Sequence, residues 1–310
     1  MGRLEESGDY PAYCPEYYQA GYPVNYRANY RVNYLVNYLV NYHTHTAYCR
    51  HAGGTAEDYA QEAFGKGLEI LGFSDHLPFP GDPFGYRMPY EEIGAYIADV
   101  YREKERYKGR MEILCGFEGE YIRGKEDFYE KLLTDQGCDY LLMGQHMYLD
   151  RAGQLCYAAG LSGTEQYMDY AESLAEGMKT GYFCCVAHPD YMFINPFAWD
   201  VNCERACDII IDAAVKEGWC LEYNANGYRR GVDEFEDGLR LQYPHRKFWK
   251  RAAKAGVPVL IGSDCHSPEK LYDEFMDNAW LDAKALGLNI VTGWGRETGG
   301  NIGGKNGGRV

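Results

Sequence analysis

The chain has 310 residues, 46% of them hydrophobic and 25% charged, and a formal net charge of −15, which suits one large α/β core and, without a basic stripe, argues against nucleic-acid binding. No apolar run approaches the roughly 18 residues of a membrane span, and no basic-then-apolar leader opens the chain. Eleven cysteines without a CxxC pair read as reduced core thiols, so the expected location is cytoplasmic.

In chain order, residues 1–38 carry a tetrapeptide repeat (NYRA, NYRV, NYLV, NYLV) that runs into NYHTHT. A period of four fits neither a strand nor a helix cleanly, and the segment is expected to be a disordered, low-complexity extension. Seven short apolar runs follow, each suited to a buried parallel strand: LVNY (39–42), LEILGF (68–73), EILCGF (112–117), DYLLMG (139–144), YFCCVA (182–187), WCLEYN (219–224) and VPVLIG (257–262). Between them lie helical patterns. Thr55 with Asp58 reads as an N-cap, and Ile93, Tyr96, Ile97, Val100 and Tyr101 trace one apolar helix face. A further amphipathic helix is expected over 268–287, then a Gly-rich, disordered tail over 293–310, leaving residues 39–292 as the folded domain. Strands alternating with helices predict a parallel sheet, and seven strands suggest closure into a barrel.

The polar residues follow the strands. HTH (43–45), Asp75-His76, Glu118, Gln145-His146, HPD (188–190) and SDCH (263–266) each stand at the C-terminal end of an apolar run. In such barrels that rim carries the active site. Seven of the eight histidines, all but His245, fall in these clusters or just beyond one at His51. Alternation of side chains along extended backbone lets His43 and His45 face one ion, and Asp264 and His266 likewise. Imidazole with carboxylate suits Zn, Mn or Fe better than Ca. His245 lies outside every motif and is expected at a helix start or on the surface.

The set HTHT, His51 six residues after His45, GFSDHLPF, GFEGEY, DYLLMGQH, AHPD and GSDCH resembles the polymerase and histidinol phosphatase (PHP) superfamily over residues 39 to about 275. DHLPF, YRMPYEEIGAYI, LEYNANGYR and YPH resemble its histidinol-phosphatase branch. The resemblance implies a distorted seven-stranded (βα)7 TIM-like barrel with three divalent ions (Zn, Mn or Fe). His43, His45, Glu118 and Asp264 would hold the first, Glu118, His146 and His188 the second, and His51, His76 and His266 the third. Asp75 and Asp190 are candidates to orient neighbouring imidazoles.

The implied chemistry is phosphomonoester hydrolysis, with a metal-bridging hydroxide attacking phosphorus and Glu118, Asp264, His266 and Arg229 as the catalytic set. Arg229 is the first candidate for a phosphate fork, with Arg87 and Arg230 next. Glu222 and Asn224 stand as acceptors for the amine and imidazole of L-histidinol phosphate, a step in histidine biosynthesis. Other phosphate esters, nucleotides or phosphotyrosine would be served by the same ligand set with a different pocket. The expected partner is a small phosphorylated substrate, with neither nucleic acid nor membrane, and the pattern specifies no oligomeric state.

Overall fold

A computed structural model of the chain describes residues 38–81 and 84–294. Strands β1 (Val40–Asn41), β2 (Ile70–Phe73), β3 (Glu112–Gly119) and β4 (Tyr140–Met143) enter one sheet. They are followed by β7 (Cys185–Val186), β8 (Cys220–Asn224), β11 (Pro258–Gly262) and β12 (Asn289–Ile290). The order is β1-β2-β3-β4-β7-β8-β11-β12, and every pair is parallel. All seven expected apolar runs contain a strand. The eighth, β12, pairs Asn289 and Ile290 with Pro258 and Val259, and at two residues it is too short to leave a pattern in sequence.

Two antiparallel hairpins, β5 (Met147–Leu149) with β6 (Leu155–Tyr157) and β9 (Val232–Phe235) with β10 (Gly238–Leu241), lie outside the main sheet. The sheet curls until its first strand meets the end of β11: Asp264 N–H donates to His43 O at 2.9 Å and His45 N–H to Cys265 O at 3.0 Å.

Helices α1 (Ala56–Gly65), α2 (Ile93–Arg106), α3 (Glu126–Thr134), α4 (Tyr167–Thr180), α5 (Val201–Glu217), α6 (Asn226–Arg230), α7 (Arg246–Ala255) and α8 (Glu274–Ala285) connect the strands. Thr55 and Asp58 close a reciprocal capping box at the start of α1. On α2, Ile93, Tyr96 and Val100 are buried, as their spacing predicts. The helix expected from 268 begins at Glu274, because the Asp273 carboxylate accepts from the backbone of Phe275 and Met276 and caps it there. His245 caps α7, its ring accepting from Lys247 N–H, and so stands at a helix start.

The ends of the fold reach past residues 39–292. Tyr38 is buried, its hydroxyl accepting from Ile261 N–H at 2.8 Å and donating to Val291 O at 3.2 Å. Trp294 packs its ring 4.1 Å from that of Tyr42. The remaining parts of the expected extension and tail lie outside the described residues. Among the described residues no helix is long and apolar enough to cross a membrane, and the ten described cysteines are free thiols.

Two glycines shape the rim. A Cβ on Gly144 would stand 2.0 Å from Glu118 Oε1, and one on Gly262 would stand 1.7 Å from Glu222 Oε1. Gly144, the residue after β4, and Gly262, the last of β11, therefore leave room for the carboxylate that crosses in front of each.

Candidate metal centre

Glu118, at the end of β3, is the hub. Its Oε2 lies 3.3 Å from His43 Nε2, 3.5 Å from His45 Nε2 and 3.0 Å from His76 Nδ1, while Oε1 lies 2.7 Å from His188 Nε2 and 3.7 Å from His146 Nε2. Asp264 Oδ1 adds contacts to His45 Nε2 at 3.2 Å and His43 Nε2 at 3.7 Å. His266 stacks on His45 with ring centroids 4.5 Å apart, and its Nε2 is 3.1 Å from His51 Nε2. All nine expected ligands meet at one rim. Two of them, His188 and Asp264, sit at positive φ, 29° and 48°, a cost that structures tend to concentrate at functional sites.

The donor atoms fit a cation better than they fit one another. Four sets, His43–His45–Glu118, His43–His188–Asp264, His76–Glu118–His146 and His45–His76–His266, each bring their ligand atoms within 4.8 Å of one another. Yet His43 Nε2, His45 Nε2, His76 Nδ1 and Glu118 Oε2 are buried without a hydrogen-bond partner. Unpaired buried polar atoms are costly, and divalent ions shared among these ligand sets would satisfy all four.

Charge states divide the ligands into two groups. Burial opposes ionisation of Glu118, but the imidazoles of His43, His146 and His76 outweigh it and hold the carboxyl well below its ordinary range. For Asp264 burial is likewise overridden, by His43, His45 and His266. Burial pushes His76 well down, and burial together with His45 pushes His266 to about 4. Against burial, Glu222, Glu118 and Asp264 hold His43 well above the ordinary imidazole range and Glu118 raises His188, so these two rings must give up a proton to take a metal, while His76 and His266 already stand in the neutral form that binds one.

The groups behind the ligands differ from those expected. Glu222, expected at the substrate, is buried beneath His43: its Oε1 is 2.8 Å from His43 Nδ1, and its Oε2 accepts from Asn224 Nδ2 at 2.9 Å and His188 N–H at 3.2 Å. A carboxylate can only accept, so Nδ1 of His43 carries the proton and Nε2 keeps its lone pair for a metal. Asn224 spends its amide on Glu222 and, at 3.2 Å, on Asp264 Oδ2. Neither residue lines the pocket. Asp75 and Asp190 touch no imidazole: Asp75 accepts from Thr46 and Cys49, and Asp190 accepts from His245 N–H and Trp249 Nε1.

Arg229 also moves out of the reaction. Its guanidinium is spent on both Asp273 oxygens (2.8 and 3.0 Å), on Ser263 Oγ at 3.0 Å, on the Ser263 carbonyl and on Lys270 O at 2.8 Å. It ties the turn that carries Asp264 to the start of α8. Arg229→Ala should cost about 3 kcal/mol by stranding Asp273; an unchanged denaturant midpoint would count against this staple.

Arg87 and Arg230 do reach the site. They border a pocket of about 250 Å³ that opens over the imidazoles and is walled on its other sides by Phe84, Tyr157, Tyr191 and Tyr243. Arg87 pairs with buried Glu120, whose Oε1 is also 3.4 Å from His146 Nδ1. Sequence reasoning passed over Glu120, although the E-x-E spacing in GFEGEY puts it on the same strand face as Glu118. A wider cleft of about 650 Å³, lined by Phe64, Lys104, Arg110 and the starts of β2 and β3, contains no imidazole.

The PHP domain family model matches residues 41–226. The Deinococcus radiodurans protein named "Probable histidinol-phosphatase" is 30% identical over 267 residues, covering 81% of this chain and 94% of that protein. The Bacillus subtilis (strain 168) "Histidinol-phosphatase" is 23% identical over 268 residues, covering 76% and 97%. Among solved structures, histidinol phosphate phosphatase from Lactococcus lactis subsp. lactis Il1403, complexed with zinc, L-histidinol and phosphate, superposes with a TM-score of 0.60 at 16% identity. It covers 81% of this chain and 95% of that one, which places the two in one fold.

Proposed function

The chain belongs to the PHP domain family, and from that membership we propose that it is a metal-dependent phosphomonoesterase that hydrolyses L-histidinol phosphate to L-histidinol and phosphate. One observation carries the chemistry: a carboxylate ringed by five imidazoles, with orphaned ligand atoms, opens onto a pocket bordered by two guanidinium groups. The named relatives supply the substrate.

Three divalent ions are assigned as the resemblance implies, with His43, His45, Glu118 and Asp264 around one, Glu118, His146 and His188 around another, and His51, His76 and His266 around the third. Zn, Mn or Fe would suit these ligands. Strands β1, β2, β3, β4, β7, β8 and β11 are taken to close into the barrel with β12 outside the closure, a reading supported by the backbone bonds just beyond the ends of β1 and β11, and the catalytic domain is taken as residues 39–292 extended to Tyr38 and Trp294.

Bound divalent ions would supply Lewis acidity and a water activated near neutral pH. The residues do the rest. Arg230, with Arg87, presents N–H donors to the phosphoryl oxygens and offsets the charge that builds on them. Asp264, its Oδ2 held by the amides of Asn224 and Asn226 at 3.2 and 3.3 Å, keeps Oδ1 toward the imidazoles and is placed to accept a proton from the attacking water. Tyr157, Tyr191 and Phe84 wall the space left for the leaving alcohol and exclude bulk water.

The test is phosphate release from a panel of esters in Mn²⁺ or Zn²⁺. Histidinol phosphate should exceed p-nitrophenyl phosphate, nucleotides and phosphotyrosine in kcat/KM by at least about tenfold, or about 1.4 kcal/mol. Equal turnover across the panel would leave a phosphatase without this specificity, and no phosphate release from any ester would overturn the reaction class.

A further inference from the structure

Behind His45 stands a polar group that the reaction does not use. Cys49 is buried to 0% exposure in the short turn after the first histidine pair, four residues beyond His45. Its sulfur has three polar neighbours: His45 Nδ1 at 3.2 Å, Asp75 Oδ1 at 2.9 Å and the backbone N–H of His76 at 3.2 Å.

We propose that the Cys49 thiol is a positioning residue that links buried Asp75 to His45 and His76, one ligand from each of two assigned ion sites. The proposal rests on the metal-binding part of the functional reading and not on the substrate.

With Asp75 as the carboxylate, one proton assignment satisfies every contact. Asp75 already accepts from Thr46 N–H and Thr46 Oγ1, each at 3.0 Å, so as a carboxylate it also accepts from the Cys49 S–H. The sulfur lone pairs then receive the N–H of His76 and the Nδ1–H of His45. That leaves His45 Nε2, which points at Glu118 and Asp264, with the lone pair a cation needs. Metal-bound histidines commonly donate their second N–H to a carboxylate, and here a sulfur spans the gap to Asp75. The same atom anchors the backbone of His76, whose ring centroid lies 4.5 Å from that of His45. Loss of the thiol should therefore act on the ions assigned to His45 and to His76 and spare the one assigned to Glu118, His146 and His188.

The test is a Zn²⁺ titration of the full chain against a chromophoric chelator, comparing wild type, C49A and C49S. In C49A the two classes of site that take His45 and His76 should weaken by about 10- to 100-fold, the range typical of lost outer partners, with the class built on Glu118, His146 and His188 unchanged. Serine keeps a donor and acceptors, so C49S should recover most of that loss. Superimposed wild-type and C49A isotherms would overturn the proposal, as would a uniform weakening of every class, which is what a merely structural role predicts. Should C49A not fold, ¹⁵N-histidine NMR of the zinc-loaded wild type decides: a His45 ring bound through Nε2 with a protonated Nδ1 supports the relay, and the opposite tautomer refutes it. A wild-type chain that takes up no zinc would instead overturn the metal reading itself.

Discussion

Glu118→Gln should strip metal from the centre and lower phosphate-ester turnover by about 10³-fold or more, some 4 kcal/mol at about 1.4 kcal/mol per decade. The reason is the number of partners. Both oxygens of this carboxylate face imidazoles, three on Oε2 and two on Oε1, at 2.7 to 3.7 Å. No other side chain in the centre reaches as many. Glutamine keeps the shape but removes the charge, and it turns an N–H₂ donor toward atoms that must offer lone pairs. Two ligand sets lose a member at once. Elemental analysis after dialysis, phosphate release and far-UV circular dichroism should show lost metal and lost turnover with the secondary structure intact. A variant that keeps its full metal content and more than a tenth of its activity would remove Glu118 from the hub.

Much of this centre was legible because ligands at strand ends leave a local mark: an apolar run, then His or Asp. The seven runs each contain a strand, and β3 delivers Glu118 to the rim at the point where its apolar run stops. What could not be read was direction. Arg229 and Arg230 are adjacent on α6, so their side chains leave the helix about 100° apart. Sequence cannot say which of the two faces the rim. The decision rests on Asp273 and Ser263, more than thirty residues away, which capture Arg229. Glu222 was misplaced for a related reason. It lies mid-strand, two residues before the end of β8, where the strand turns it inward against His43, and Gly262 on the neighbouring strand leaves room for it there. Glu120 and Cys49 were missed because each acts through another residue, and such partners carry no motif of their own.

The two arginines that remain in the pocket should fail in different ways. Arg230 stacks over Tyr243 with its guanidinium carbon 5.6 Å from the ring centroid, and its Nη1 donates to Gln242 at 3.1 Å. It has no carboxylate partner within ion-pair distance among the described residues, so its charge is available to a phosphoryl group. Arg230→Ala should lower kcat/KM by about 10²- to 10³-fold, or about 3 to 4 kcal/mol, as loss of a transition-state donor commonly does. Metal content and melting temperature should stay near wild type. Arg230→Lys should recover only part of the loss, because an ammonium restores charge without the bidentate fork. Arg87 is different because its partner, Glu120, is buried with it. Removing that guanidinium strands a buried carboxylate beside His146, so Arg87→Ala should lose about 3 to 5 kcal/mol of stability together with activity. Inhibition by inorganic phosphate separates the two cases. It should weaken in Arg230→Ala, by less than kcat/KM falls, since the product presents the same oxygens as the ester without the charge of the transition state. If phosphate inhibits that variant as strongly as the wild type, the fork lies elsewhere, and Arg87 becomes the group that reads the phosphate.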